Sequence, residues 1–277
     1  MPILHMKTII TVLPIYDKIA KQCYERSKRS GNGIVPILCP RHHLPSFQWL
    51  DDTDGATSVT KIELIDQNLT ATDITAKFTL PDMIPFAHDY FSYSGDTLLA
   101  LLDAGLYYLK ITMNDSHIYY SEWFRVECIF DDGLPPAATY STKYLIINFT
   151  NSCDLGDILY QDGFTQKIYL ESEPLEMSFP IEEEGQKNGE ARFIRTFARQ
   201  VKKYTARTLM LPDYMVDVFN RMILCNSITL TDLVGDVHNV YNLEVEHEWM
   251  FADKYYAKLD LTFDYDEAVV IGACCEI

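Results

Sequence analysis

Between Gly105 and Glu127 the chain reads Gly-Leu-Tyr-Tyr-Leu-Lys-Ile-Thr-Met, then Asn-Asp-Ser, then His-Ile-Tyr-Tyr-Ser-Glu-Trp-Phe-Arg-Val-Glu. Two runs rich in aromatic and β-branched residues flank a short polar break, which is the sequence form of a β-hairpin. Side chains alternate along a strand, so Tyr107, Leu109, Ile111 and Met113 share a face apolar enough to be a core face. Leu106, Tyr108, Lys110 and Thr112 share the other. In the return run Tyr120, Glu122, Phe124 and Val126 alternate with Tyr119, Ser121, Trp123 and Arg125, and neither set is polar throughout. Aromatics on both faces place such a hairpin between a core and a second packed surface. That is a β-sandwich arrangement, and it leaves room for a subunit contact.

The rest of the chain extends this reading. Its 277 residues suffice for one large domain or two of ordinary size. Eighteen tyrosines in many short aromatic runs favour an all-β fold. Asp131-Asp132-Gly133-Leu134-Pro135-Pro136-Ala137-Ala138 is acidic, then rich in Gly and Pro, as linkers are. The expected fold is therefore mainly β, with two β-sandwich-like domains: 1–135, and 136–277 with one short α-helix near 212–224. Pro212 and Asp213 suit the first turn of that helix, and Val216, Phe219 and Ile223 recur on one face.

Strands are expected at Lys7–Ile15, Ile34–Cys39, Ser46–Leu50, Val59–Ile65, Ile74–Leu80, Lys143–Phe149, Asp157–Tyr160, Gln166–Leu170 and Ser227–Leu233. Asn239–Met250 and Tyr255–Tyr265 pair as a hairpin, and Val269–Ile277 closes the chain as an edge or pairing strand. Val59–Ile65 alternates as a half-buried strand, Asp66-Gln67-Asn68 turns it, and Gly185–Gly189 is a flexible turn. Ala191–Arg207 carries both a helical four-residue spacing of Phe193, Phe197 and Val201 and a strand pattern, with Phe193, Arg195, Phe197 and Arg199 on one face. Its threonines and Tyr204 tip the reading towards strand.

The net charge of −17 works against phosphate-neutralising nucleic-acid binding and against an anionic membrane. Residues 1–135 carry 11 Lys and Arg against 17 Asp and Glu, and residues 136–277 carry 12 against 23, so acidity is general. Seven cysteines follow no framework spacing, and the vicinal Cys274-Cys275 makes a poor structural disulfide. A reducing cytosol is the expected site of synthesis. Ile9–Ile15 resembles a signal-peptide core, but Thr11 interrupts it and no small-residue cleavage site follows. No stretch approaches the ~20 apolar residues that span a bilayer.

Candidate sites are weak beside their structural explanations. Cys39-Pro40-Arg41-His42-His43 holds ligand types for half a zinc site, yet no second pair stands at a supporting interval. Asp51-Asp52-Thr53-Asp54-Gly55 lacks the later glutamate of a helical calcium loop and reads as a turn. Glu244, Glu246 and Glu248 share one strand face, which makes an acidic stripe and not the cleft-flanking pair of a glycosidase. There is no nucleophile elbow, phosphate loop or dinucleotide fingerprint. Asn68, Asn114 and Asn148 begin glycosylation triplets that matter only in a secreted protein. Trp49, Trp123, Tyr119 and Tyr120 form either a sandwich core or a platform for sugars. The expectation is accordingly no catalytic residue, no metal and no cofactor.

Gly105-Leu-Tyr-Tyr followed by Tyr120-Ser121-Glu122-x-Phe124-x-Val126 resembles a strand pair in structural proteins of tailed phages that infect gut Bacteroidetes, crAss-like phages among them. Leu211-Pro212-Asp213-Tyr214 entering a short helix, Ile228-Thr229-Leu230 and the Glu248-Trp249 strand resemble parts of their virion proteins too. The resemblance touches about a third of the chain and transfers no functional residue. It implies a neck, tail-adaptor or baseplate-like subunit, made in the host cytoplasm and built into the virion. Its partners are then other copies of itself in a ring and neighbouring virion proteins. An acidic surface suits a conduit through which DNA slides without sticking. The basic stretches Asp17–Arg29 and Arg192–Lys203 then pair with acidic faces of adjacent subunits. A carbohydrate-binding or adhesion module using the Tyr and Trp face is the competing expectation.

Overall fold

The computed structural model describes residues 13–17, 36–40, 44, 50–51, 59–77, 89–90, 102–127, 143–150, 165–187, 193–250 and 256–264. Strands dominate. The first half contributes β1 (Ile15–Asp17), β2 (Ile37–Pro40), β3 (Leu50–Asp51), β4 (Val59–Asp66), β5 (Ala71–Asp73), β6 (Asp89–Tyr90), β7 (Gly105–Met113), β8 (Ile118–Ser121) and β9 (Phe124–Glu127). After these come β10 (Tyr144–Thr150), β11 (Gln166–Glu171), β12 (Glu176–Ser178), β13 (Ile181–Lys187), β14 (Phe193–Gln200), β15 (Lys203–Arg207) and β16 (Leu211–Pro212). Helix α1 (Asp213–Met222) precedes β17 (Ser227–Thr231), β18 (Val237–Asn239), β19 (Tyr241–Trp249) and β20 (Tyr256–Asp264).

The expected hairpin is the centre of the larger sheet. Asn114, Asp115 and Ser116 make its turn, with Ser116 at φ 69° and the Met113 amide donating to the His117 carbonyl at 2.9 Å. Leu109 and Ile111 are completely buried and Met113 nearly so, as the alternation of β7 requires. The return run departs from a single strand. Glu122 leaves the ladder to donate its amide to the Pro14 carbonyl at 2.8 Å, and the run splits into β8 and β9. Ser121 Oγ fills the gap by accepting the Leu109 amide at 2.8 Å while donating to the Glu122 carbonyl. This break shifts the strand's parity, so Ser121, Phe124 and Val126 are all buried although they were expected on opposite faces.

One 11-stranded sheet runs β1-β8-β7-β9-β2-β11-β10-β17-β18, with β4 and β5 attached through β7. A smaller sheet runs β12-β15-β20-β16, with β19 on β20. The larger sheet crosses the position chosen as a domain boundary. Short β2 lies parallel to β9, with Ile37 opposite Phe124, and antiparallel to β11, with Leu38 opposite Tyr169. A single buried cluster joins Leu109, Ile111 and Phe124 to Leu145, Ile147, Phe219, Leu259 and Phe263. Among the described residues, strands of 1–135 and of 136–277 thus share the larger sheet and one buried cluster. Asp131–Ala138 lies outside the described residues, as do Lys18–Arg29, Trp49, the strand expected at Asp157–Tyr160 and Val269–Ile277.

Four further differences have local causes. Ile62, Glu63, Leu64 and Ile65 are all buried, so β4, paired on its two edges by β5 and β7, does not show the half-buried alternation expected of it. Ala71–Asp73 takes the strand expected at Ile74–Leu80, and Thr75–Lys77 is one 3-10 turn. The turn is held by Thr75 Oγ1, which donates to Asp73 at 2.7 Å and accepts the Ile62 amide at 2.9 Å. Gly185 lies within β13 at a β-bulge and not in a turn. Ile223 is the C-cap of α1 and 42% exposed, whereas Met215, Val216, Val218, Phe219 and Met222 are buried.

Candidate interaction surfaces

The sequence-predicted candidates separate when placed on the fold. Cys39 is buried in β2, where loss of water pushes its thiol far above the ordinary range. It borders a small, mostly apolar cavity of about 70 Å³ with Leu38, Tyr169, Met210 and Met215. His42 and His43 lie outside the described residues, and no group of three metal-ligating side chains occurs among the described ones. Burial likewise raises Cys225 to about 11, so neither described thiol is a ready nucleophile. Asn148 sits inside the sheet between Lys167 and Thr229, while Asn68 and Asn114 lie in exposed turns.

Among the described aromatic residues, Tyr108, Tyr120 and Trp123 do not lie flat in one plane. Tyr119 packs against the core. Tyr108 meets Trp123 edge-on at 4.6 Å and 71°, and meets Tyr120 at 6.2 Å. The rings are partly buried and spend their faces on one another.

Beside them an ion triad crosses β4 and β7. Glu63 is 8% exposed and accepts Lys110 at 2.7 Å and Lys61 at 2.6 Å, one lysine on each oxygen. The Lys110 contact, then that of Lys61, holds the Glu63 carboxyl below its usual range against the opposing effect of burial. A depressed carboxyl stabilises the fold above its unfolded pKa, near 4.3. That stabilisation is lost as pH falls through the folded value. Melting temperature followed from pH 6 to pH 3 is expected to fall more steeply for the wild type than for Glu63→Gln, with Asp66, Asp73 and Asp115 titrating alike in both. Equal slopes would show that the triad adds nothing.

The outer face of the smaller sheet is charged. Lys203 and Arg207 of β15, Lys258, Asp260 and Asp264 of β20, and Glu244, Glu246 and Glu248 of β19 alternate outwards. Arg207 contacts Glu176 at 2.9 Å and Asp260 at 3.7 Å, and Lys203 contacts Glu244 at 3.4 Å and Asp264 at 3.6 Å. Glu246 and Glu248 border a polar cleft of about 330 Å³ with Arg207, Thr208, Lys258 and Asp260. The stripe thus does flank a cleft, which strand alternation alone did not reveal. Arg207 and Lys258 offset much of its negative charge.

The feature that sequence reasoning missed lies where β12 runs into β13. Met177, Phe179 and Ile181 are 51%, 52% and 58% exposed, three large apolar residues at alternate positions. They stand at the root of a ribbon in which β13 and β14 pair only with each other among the described residues, from Ile181 opposite Gln200 to Lys187 opposite Phe193. The signal was present as apolar residues two apart around Pro180, but neighbouring glutamates hid it in an apparently acidic stretch. The pairing of β13 with β14 shifts register between Glu184 and Gly185. No described helix is long and apolar enough to cross a membrane. No family model, curated protein or solved structure matches this chain.

Proposed function

We propose that this chain is a non-enzymatic structural subunit of a tailed-phage virion, of neck, tail-adaptor or baseplate type, working through contacts with other copies in a ring and with neighbouring virion proteins. The observation that supports it is the exposed apolar row Met177, Phe179 and Ile181, which leads into the two-stranded β13–β14 ribbon. Exposed apolar side chains at alternate positions mark protein contacts. The sequence resemblance to virion proteins supplies the kind of assembly. Synthesis in the host cytoplasm and residence in the virion follow from it.

The row supplies its own test. Phe179→Asp combined with Ile181→Asp alters only exposed positions, so the melting temperature is expected to stay near the wild-type value. Particles assembled with that variant are expected to lack the protein. Incorporation at the wild-type copy number would remove the row as the contact and, with it, the support for the reading.

A further inference from the structure

We propose that the cavity between β2, β11 and the start of α1 is a binding site for a short aliphatic carboxylate. Its lining brings together Ile37 and Cys39 of β2, Ile168 and Leu170 of β11, and Leu211 and Met215 where β16 enters α1. The deepest of these lie in the core: Cys39 is 3% exposed, Leu170 1% and Met215 0%. Leu209 also borders the cavity and is 42% exposed. The cavity therefore reaches from the surface down to fully buried side chains. It lies where β2 meets β11 through one register pair, Leu38 with Tyr169, whereas four pairs join β2 to β9. A ladder of one pair does not zip the two strands together along their length, and both of them line the cavity.

Size and charge set the class of ligand. A volume of about 70 Å³, at about 10–15 Å³ for each water-sized position, gives room for roughly five to seven heavy atoms. That is a short unbranched chain. Met210 and Met215 border it, and such flexible, polarisable side chains adapt to chains of different length. Arg125 and Lys167 also border the cavity, with Glu171 the one acid beside them. The lining is thus net positive in a chain of net charge −17. Glu127 engages Arg125 through Nε at 2.9 Å, and a guanidinium carries four further N–H donors. An apolar interior bordered by two cations suits an anion with an aliphatic tail. The site stands whether or not the chain belongs to a virion.

Titration of the full chain, labelled at its methionine methyls for NMR, with butanoate, pentanoate and hexanoate reads the site directly. Saturable shifts are expected at the Met210 and Met215 methyls, assigned through Met210→Leu and Met215→Leu. Affinity should rise about fourfold for each added CH₂, as burial of the tail requires. Arg125→Gln alters a side chain that is 43% exposed, so the fold is expected to persist. That variant should weaken hexanoate about tenfold and leave hexanol binding unchanged, because only the carboxylate needs the cation. An affinity flat along the series, shifts confined to other methionines, or hexanoate binding indifferent to Arg125→Gln would overturn the proposal.

Discussion

Cut at Pro135, the chain is expected to give two fragments that fail to fold apart. Residues 1–135 retain β1, β8, β7, β9 and β2 but lose β11, which lies along the outer side of β2. They also lose the groups buried in the same cluster as Leu109, Ile111, Phe124 and Val126, among them Val216, Phe219, Leu259 and Leu261. A sheet with one apolar face bare has nothing to offset its ordering entropy. Residues 136–277 lose the matching surface. Circular dichroism and tryptophan emission of each fragment should show no cooperative melt, and mixing the two should restore one. A cooperative transition in either fragment alone would mean that the two halves hold separate cores after all.

Phe219→Ala is expected to be among the most costly single substitutions. Phe219 is fully buried on α1, in the cluster that joins the helix to both sheets. Removing such a ring costs about 3–5 kcal/mol, the lost transfer energy plus the cavity left behind. Net stability of folded proteins is roughly 5–15 kcal/mol, so this one change removes a large share of it. Ile223→Ala, one turn further along the same sequence pattern, should cost well under half as much because Ile223 is 42% exposed. Urea denaturation of both variants measures the contrast. Similar midpoints would show that Phe219 does not tie the helix to the core.

That contrast also shows what the sequence could and could not reveal. The β7–β8 hairpin, the β19–β20 hairpin and α1 are local, and a period of two or of three to four residues is visible without knowing what lies opposite. Long-range pairing leaves no such mark. β2 has four residues, and nothing in Ile37-Leu38-Cys39-Pro40 shows that it will pair with β9, 87 residues on from Ile37 to Phe124, and with β11, 131 residues on from Leu38 to Tyr169. The Pro-rich stretch after Asp131 has linker composition, yet the strands on either side of it share one sheet. Bulges have the same effect on a smaller scale. At Glu122 one displaced residue inverts the faces assigned beyond it, and the pairing of β13 with β14 shifts register between Glu184 and Gly185. Glu63 shows the converse: a glutamate in an alternating strand looks solvated until two lysines from β4 and β7 are found on its oxygens.

The candidate surface was legible only in part. The acidic stripe of Glu244, Glu246 and Glu248 was apparent, but not the cleft it borders, because Arg207, Thr208 and Lys258 reach it from other strands. The exposed row of Met177, Phe179 and Ile181 was missed, because hydrophobic residues at alternate positions ordinarily announce a buried face. Only the packing shows that nothing described covers them. This departure from the usual rule is what motivates the proposed role in assembly.

The most direct measurement is quantitative mass spectrometry of purified particles from cells in which this chain is made, scaled against a particle component of known copy number. The account predicts the chain in several copies per particle, a fixed integer set that remains through repeated purification. Its absence from purified particles, with the protein left entirely in the unassembled fraction, would contradict the account.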